Sequence, residues 1–272
     1  AYTNSPGKDF EDEFFAKYGN EKDLHIKYAT ANLGALTNLA KGIEFAKKKF
    51  PANFAKTKYI LNYPQYFAFR LTGKISAEHT YSACHTYLYD HKNKAWSDIV
   101  DKMQIRSKLP EKICFTYEKL GCISDEVLKK TGLAKDTVVA HGVHDSNASL
   151  LPYLVKSEGG FILNSTGTWF VAMCPTREIH FTDNEVQTGV FYNADVYGNP
   201  VKTAIFMGGG EMNFYYEILK NKFGLKGHCN YDAGFYAKFA KSAESFILPG
   251  VMAGTGPFPL SKSRIIHKGN IY

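Results

Sequence analysis

Apolar residues recur at helical spacing through the first half of the chain and give way to short strand-like runs in the second. Phe10, Phe14, Phe15 and Tyr18 mark one face of a helix over positions 9–18, which Gly19-Asn20 ends. Leu36, Leu39, Ile43 and Ala46 share a face in a second helix, expected over 34–49 with Pro51 beyond its end. The run Lys58-Tyr59-Ile60-Leu61 predicts a short strand that turns at Asn62-Tyr63-Pro64 into a helix carrying Tyr66, Phe67, Phe69 and Arg70. Leu71-Thr72-Gly73-Lys74 stops that helix. Positions 78–89 read as polar and small, 90–94 as a hydrophilic loop, and 96–103 as one short helix. After a turn at Leu109-Pro110-Glu111, a helix is expected over 125–131, with Ser124 as N-cap and Gly132 just past its end. Positions 137–140 then predict a buried strand running into His141-Gly142-Val143-His144-Asp145.

Composition shifts near 155–160, and strands are expected over 160–163, 168–173, 190–193 and 201–205, separated by Gly, Asn and Asp turns. A helix over 210–222 follows, with Met212, Tyr215, Tyr216 and Leu219 on one side. A helix-rich half before a strand-rich half predicts a domain boundary near 156. No repeat of solenoid period interrupts this plan.

The chain has 272 residues, 44% of them hydrophobic and 22% charged, enough apolar material for a sizeable core and no composition of a disordered chain. No run approaches the ~20 apolar residues of a membrane span, so no membrane partner is expected. The five cysteines, Cys84, Cys114, Cys122, Cys174 and Cys229, are odd in number, scattered and free of zinc-ligand spacing. They read as reduced thiols, from which a cytoplasmic location and no metal site are expected. Ala1 to Gly7 have neither a basic segment nor an apolar stretch of a signal peptide and read as the interior of a longer chain. The formal charge of +7 includes clusters at Lys47-Lys48-Lys49 and at Lys220, Lys222 and Lys226, which have the spacing of solvated helix faces. Nucleic-acid binding is the lesser reading of that charge, and nothing in the sequence encodes an oligomeric state.

Neither GxxxxGK(S/T) nor GxGxxG occurs, and His141, His144 and Asp145 are too compact to make a metal site alone. Three segments carry the chemistry. In Val143-His144-Asp145-Ser146-Asn147-Ala148-Ser149 a carboxylate stands where a strand meets a helix, a position suited to a ligand site or simply to an N-cap. In Asn164-Ser165-Thr166-Gly167-Thr168-Trp169 hydroxyls and a glycine amide occupy a hairpin turn, where they can meet a phosphate or serve only the turn. Met207-Gly208-Gly209-Gly210-Glu211 opens a helix with three glycines, permitting close approach of an anion or making a flexible turn.

Together these segments resemble the FGGY family of carbohydrate kinases, most of all its rhamnulokinase branch. Pro64-Gln65-Tyr66-Phe67-Ala68-Phe69-Arg70-Leu71-Thr72-Gly73-Lys74 is similar to that family's proline-aspartate-tyrosine, arginine-leucine-threonine-glycine helix. The segment around His144-Asp145 resembles its histidine-aspartate-threonine-alanine-serine-alanine motif, and Ser165-Thr166-Gly167-Thr168-Trp169 its serine-serine-glycine-threonine-tryptophan hairpin. Gln65 stands where the family has aspartate, Thr3-Asn4 where it has arginine-aspartate, and Asn147 where a small residue is usual. The family's Asp-x-Gly-Thr phosphate loop and glycine-rich adenine segment do not occur in these residues, so the 272 residues alone are expected to be inactive.

The resemblance implies an α/β fold of two ribonuclease-H-like (actin-like) domains, each incomplete here. Residues 1–155 would be the C-terminal part of the first, on the sugar side, and 156–272 the N-terminal part of the second, on the nucleotide-phosphate side. It implies ATP-dependent phosphorylation of a ketose of rhamnulose, fuculose or xylulose type, with ATP and Mg²⁺ as partners of the reaction. It assigns Asp145 as catalytic base, His144 to the sugar, and Gly167, Thr168, Thr166, Gly208 and Gly209 to the ATP phosphates. A sugar-binding or regulatory module without phosphotransfer is the alternative that Gln65, Thr3 and Asn4 favour, whereas Asp145 with Gly167-Thr168 favours an enzyme.

Overall fold

The computed structural model describes residues 5–157, 160–224, 233–251 and 262–271, so Thr3, Asn4, Lys226 and Cys229 lie outside the described residues. The chain divides into two compact units, Ala1–Asn164 with Ala172–Ala204, and Ser165–Val171 with Ile205–Tyr272.

In the first unit, helix Lys8–Tyr18 buries Phe14 and Tyr18 on the face its periodicity marks, and Gly19 ends it at φ 135°. Helix Glu21–Tyr28 follows at once, unannounced by periodicity but capped by Asn20, whose side chain accepts from Asp23 N. Helix Leu39–Lys49 begins five residues later than the pattern over 34–49 suggested. The reason lies in Asn38, whose Nδ2 donates to the carbonyls of Ala31 and His85, both at 2.9 Å. That anchor, with Gly34 and Ala35 at positive φ, holds the preceding loop out of helical geometry.

Two charges lie in the same helix interior and are paired there. Lys41 Nζ donates to Glu11 at 2.8 Å and to Asn32 at 2.7 Å, and Glu44 accepts from Lys17 at 2.7 Å and from the Tyr18 hydroxyl at 2.8 Å. In the lysine run, Lys47 donates to the Met103 carbonyl and Lys48 pairs with Glu13, which anchors both to the protein's own helices.

The expected strand 58–61 does not form. Pro51 instead starts helix Pro51–Lys56, and the extended segment beyond it is tied to Lys108 by Ile60 N donating to its carbonyl and by its Nζ donating to the Thr57 carbonyl, with no ladder partner among the described residues. The expected helix 96–103 is also divided. Trp96 pairs with Tyr89 in a two-stranded hairpin and donates its indole N–H to Pro110, leaving only Ile99–Lys102 helical. Helices Tyr63–Thr72 and Asp125–Thr131 stop at Gly73 and Gly132, both left-handed, and Ser124 caps the latter through Val127 N. Ring and aliphatic packing among Phe14, Tyr87, Leu88, Ile99, Val100 and Met103 forms the core of this unit.

Strand Val138–Ala140 forms as expected but is not buried. It pairs only with Lys119–Cys122, antiparallel, and Val138 is 56% exposed. The first two later strands shift by two or three residues from their expected positions, to Leu163–Ser165 and Phe170–Pro175, and the next two, Phe191–Ala194 and Pro200–Phe206, differ by one residue at each end. They form one sheet in the order Leu163–Ser165, Phe170–Pro175, Pro200–Phe206, Phe191–Ala194, the last two antiparallel.

The second unit holds helices Gly208–Phe223 and Ala233–Ser242 and an antiparallel sheet of Ser245–Leu248, Arg264–His267 and Asn270–Ile271. No described helix is long and apolar enough to cross a membrane, and Cys84, Cys114, Cys122 and Cys174 are free thiols.

Three imidazoles of the first unit are enclosed, and burial pushes His79, His85 and His91 each down to about 4 from the usual 6.5. A base whose folded-state pKa is lowered contributes stability that is complete above its unfolded pKa and is lost as pH falls through the folded value. The thermal midpoint is therefore expected to fall progressively between pH 6.5 and about 4. A midpoint that stays level across that range would contradict the burial of neutral histidines.

Candidate functional site

Helix Asp145–Lys156 starts where the backbone leaves strand Val138–Ala140 through Gly142, at φ 88°. A Cβ on Gly142 would lie 3.1 Å from Pro64 Cβ, so glycine lets this turn pass close to the helix Tyr63–Thr72. His144 is the N-cap and Asp145 the first helical residue, where the helix macrodipole favours negative charge. The Asp145 side chain is 94% exposed. Its Oδ1 accepts from Ser146 N at 2.7 Å, and its Oδ2 takes no hydrogen bond among the described residues.

What fixes this carboxylate lies behind it. Glu78, fully buried, ends the short strand Ala77–Glu78 and caps helix His79–Ser82. It accepts from Thr80 N at 2.6 Å, the Thr80 hydroxyl at 2.7 Å and Tyr81 N at 2.8 Å. The same Thr80 hydroxyl accepts from His144 N at 2.9 Å. A continuous path thus runs from Glu78 through Thr80 to the backbone immediately before Asp145. Burial pushes the Glu78 carboxyl above its usual range, against the pull of these donors.

Gln65 is also fully buried, and its Nε2 donates to the His141 carbonyl at 3.0 Å. Its departure from the family pattern is therefore an interior one, tying helix Tyr63–Thr72 to the turn before Asp145. Asn147, 1% exposed, points its amide inward, where neither polar atom finds a partner among the described residues.

The His144 ring is mostly enclosed. Tyr81 meets it edge-on at 5.2 Å, its Nε2 lies 3.5 Å from the Cys84 sulfur, and its Nδ1 lies 3.4 Å from Asp145 Oδ1. Burial lowers the imidazole pKa and raises that of the Cys84 thiol, so both are neutral at pH 7. Tyr81 also lines a cavity of 430 Å³ walled by Leu39, Tyr59, Leu61, Asn62, Tyr63 and Tyr66. The sequence pattern gives no sign of this tyrosine-walled space, because its residues are scattered over helix ends and an extended segment.

The second unit brings the other expected residues together. Thr166, Gly167 and Thr168 form an exposed turn between strands Leu163–Ser165 and Phe170–Pro175, and the two threonine hydroxyls take no hydrogen bond among the described residues. Helix Gly208–Phe223 begins against this turn, with Gly209 N donating to the Thr168 carbonyl at 3.2 Å. A Cβ on Gly209 would fall 2.2 Å from the Gly167 carbonyl oxygen, and one on Gly208 2.6 Å from the Phe170 ring. Both glycines are thus demanded by contact, and no side-chain cap hydrogen bond closes the helix start among the described residues. Free hydroxyls beside an uncapped helix N-terminus can receive an anion.

Three residues the motifs passed over also converge. Cys114, Glu118 and His141 each offer a ligand atom within 4.8 Å of the others, with His141 too distant in sequence from the other two to suggest a site.

Comparison with known proteins gives consistent likenesses. The N-terminal domain of the FGGY family of carbohydrate kinases matches residues 23–152, and the carbohydrate kinase FGGY C-terminal domain matches residues 158–270. A rhamnulokinase of Halalkalibacterium halodurans is 27% identical over 187 residues, which are 66% of this chain and 34% of that protein. A rhamnulokinase of Bacteroides thetaiotaomicron is 27% identical over 112 residues, 40% of this chain and 22% of that one. A carbohydrate kinase from Novosphingobium aromaticivorans superposes with a TM-score of 0.77 at 25% identity, over 98% of this chain and 56% of that chain. Xylulose kinase from Rhodospirillum rubrum, at 15% identity and a TM-score of 0.73 over 95% of this chain and 51% of its own, shares the fold. The chain spans about a third of the first curated relative and about half of these structures. The fold is the actin-like α/β fold that the sequence resemblance implied.

Thr80→Val removes both hydroxyl bonds of the path to His144 and leaves two buried groups short of a partner. It is expected to lower unfolding stability by about 1–3 kcal/mol, with Thr80→Ser close to wild type. Urea denaturation checks this, and a Thr80→Val change below about 0.5 kcal/mol would contradict it.

Proposed function

The chain belongs to the FGGY family of carbohydrate kinases, and from that premise we propose that its protein transfers the γ-phosphoryl group of ATP to a ketose hydroxyl. A rhamnulose-type ketose is favoured by the two rhamnulokinase relatives, with fuculose and xylulose types as its neighbours in chemistry. We also propose the domain boundary near 156, which the two family matches, 23–152 and 158–270, support.

The observation that carries the reading is Asp145, an exposed carboxylate with one oxygen engaged by Ser146 N and the other open. Such an oxygen accepts the proton of an acceptor hydroxyl as that hydroxyl's oxygen attacks the γ-phosphorus. The bond from the γ-phosphorus to the β–γ bridging oxygen breaks, and ADP leaves. Phosphoryl transfer of this kind is chiefly positioning and charge neutralisation. His144, which the family resemblance assigns to the sugar, stands beside the carboxylate with its Nδ1 3.4 Å from Asp145 Oδ1.

The residues of the second unit suit the phosphates of ATP. Thr166 and Thr168 offer unengaged hydroxyls and Gly167 an exposed amide, while Gly208 and Gly209 pack so closely on Phe170 and Gly167 that the start of their helix lies beside those groups. Mg²⁺, a hard cation, would be held mainly by phosphate oxygens and water, and no described residue is assigned to it.

Asp145→Asn in the full-length protein is expected to reduce turnover by at least about 100-fold while leaving sugar affinity nearly intact. Steady-state kinetics with a coupled ADP assay and separate sugar titration check this. Near-normal turnover would remove Asp145 as the base.

A further inference from the structure

We propose that Cys114, Glu118 and His141 form a binding site for a divalent transition-metal ion of the zinc class, which pins the turn leading to Asp145. Their ligand atoms already lie within 4.8 Å of one another. The ladder between Lys119–Cys122 and Val138–Ala140 explains why. Lys119 pairs with Ala140, so Glu118 and His141 are the residues just beyond that pair, at the same end of the two strands. Cys114 reaches them from strand Ile113–Cys114, itself held parallel to Ala77–Glu78 with Cys114 opposite Glu78. Between Cys114 and Glu118 the chain makes one tight turn, in which Phe115 N donates to Glu118 Oε2 at 3.1 Å.

A second, independent observation points to a ligand. His141 is 6% exposed, yet its Nδ1 is buried with no hydrogen-bond partner among the described residues. Buried polar atoms in this condition are rare and costly. The residue itself is firmly placed, because its carbonyl accepts from Gln65 Nε2 at 3.0 Å.

The donor set selects the ion. Mg²⁺ and Ca²⁺ require oxygen ligands, whereas thiolate, imidazole and one carboxylate suit zinc and its first-row neighbours. Thiolate and carboxylate together neutralise a divalent charge, and the thiol proton passes to solvent on binding. Tetrahedral zinc with its usual bond lengths separates donors by roughly 3.5 Å, so the three need to close by only about 1 Å. Glu118, exposed on its turn, has the freedom to supply most of that movement, and water completes the fourth position. The ion would join the end of one strand, a turn, and the residue four positions before Asp145.

The site is independent of the kinase reading and is tested by binding. The full-length protein, stripped with chelator, is titrated with Zn²⁺ against a chromophoric competitor and, separately, with Co²⁺. Uptake of one equivalent of Zn²⁺ and a near-ultraviolet thiolate-to-cobalt band are expected. Cys114→Ser should abolish the band. Glu118→Gln, an exposed change that leaves the core untouched, should weaken Zn²⁺ by at least the roughly 10–100-fold seen for loss of an outer-shell partner. Cys122→Ser should alter neither. Absence of stoichiometric Zn²⁺ uptake by the wild-type protein, a cobalt band that persists in Cys114→Ser, or unchanged affinity in Glu118→Gln would overturn the proposal.

Discussion

A carboxyl group removed from water must find its donors inside the protein, and in the first unit that demand falls on Glu78, which is fully buried. Its two oxygens take up two backbone amides and one hydroxyl from within three residues in sequence, and Gln65 Nε2 approaches at 3.5 Å. A carboxyl so placed holds helix His79–Ser82 in a single orientation, since any displacement would strand donors as well as the acid. Because Thr80 spends the other side of its hydroxyl on His144 N, the orientation of that short helix becomes the orientation of the backbone entering Asp145. The Asp145 carboxylate is exposed but rooted in a buried polar path. Gln65 adds a second tie to the same turn through the His141 carbonyl.

The second unit applies a different constraint to a similar end. Steric contact orders the turn at Thr166 to Thr168, since Gly209 and Gly208 bring a helix start to distances from Gly167 and Phe170 at which no Cβ fits. Absent side chains let the backbone of the helix meet the turn directly, and the surrounding hydroxyls remain unengaged. Preorganisation is thus polar in one unit and steric in the other. Each leaves its reactive groups exposed on a backbone held by interior contacts, the arrangement on which precise chemistry depends.

What could be read in the sequence was what local signals determine. Helix Asp125–Thr131 has its cap and its glycine stop within the segment itself, and the Phe14–Tyr18 face of the first helix repeats at the helical period. Asp145, His144 and the glycine-flanked turn were legible as motifs because each is contiguous. The strand expected at 58–61 failed because β-propensity without a neighbouring edge makes no ladder. The later start of helix Leu39–Lys49 follows from Asn38 bonding the His85 carbonyl, a partner 47 residues away. The contact between Gln65 and His141 was hidden for the same reason. Gln65 and His141 lie 76 positions apart, and only folding makes them neighbours.

The account stands on sugar phosphorylation by the protein that contains this chain. The most direct test is a coupled ADP-release assay on the full-length protein with ATP and Mg²⁺, run across a panel of ketoses with a no-sugar control. Sugar-dependent ADP release, strongest with a rhamnulose-type ketose and accompanied by the corresponding sugar phosphate, is the predicted result. A correctly folded protein that binds sugar yet releases ADP with no member of the panel would contradict it.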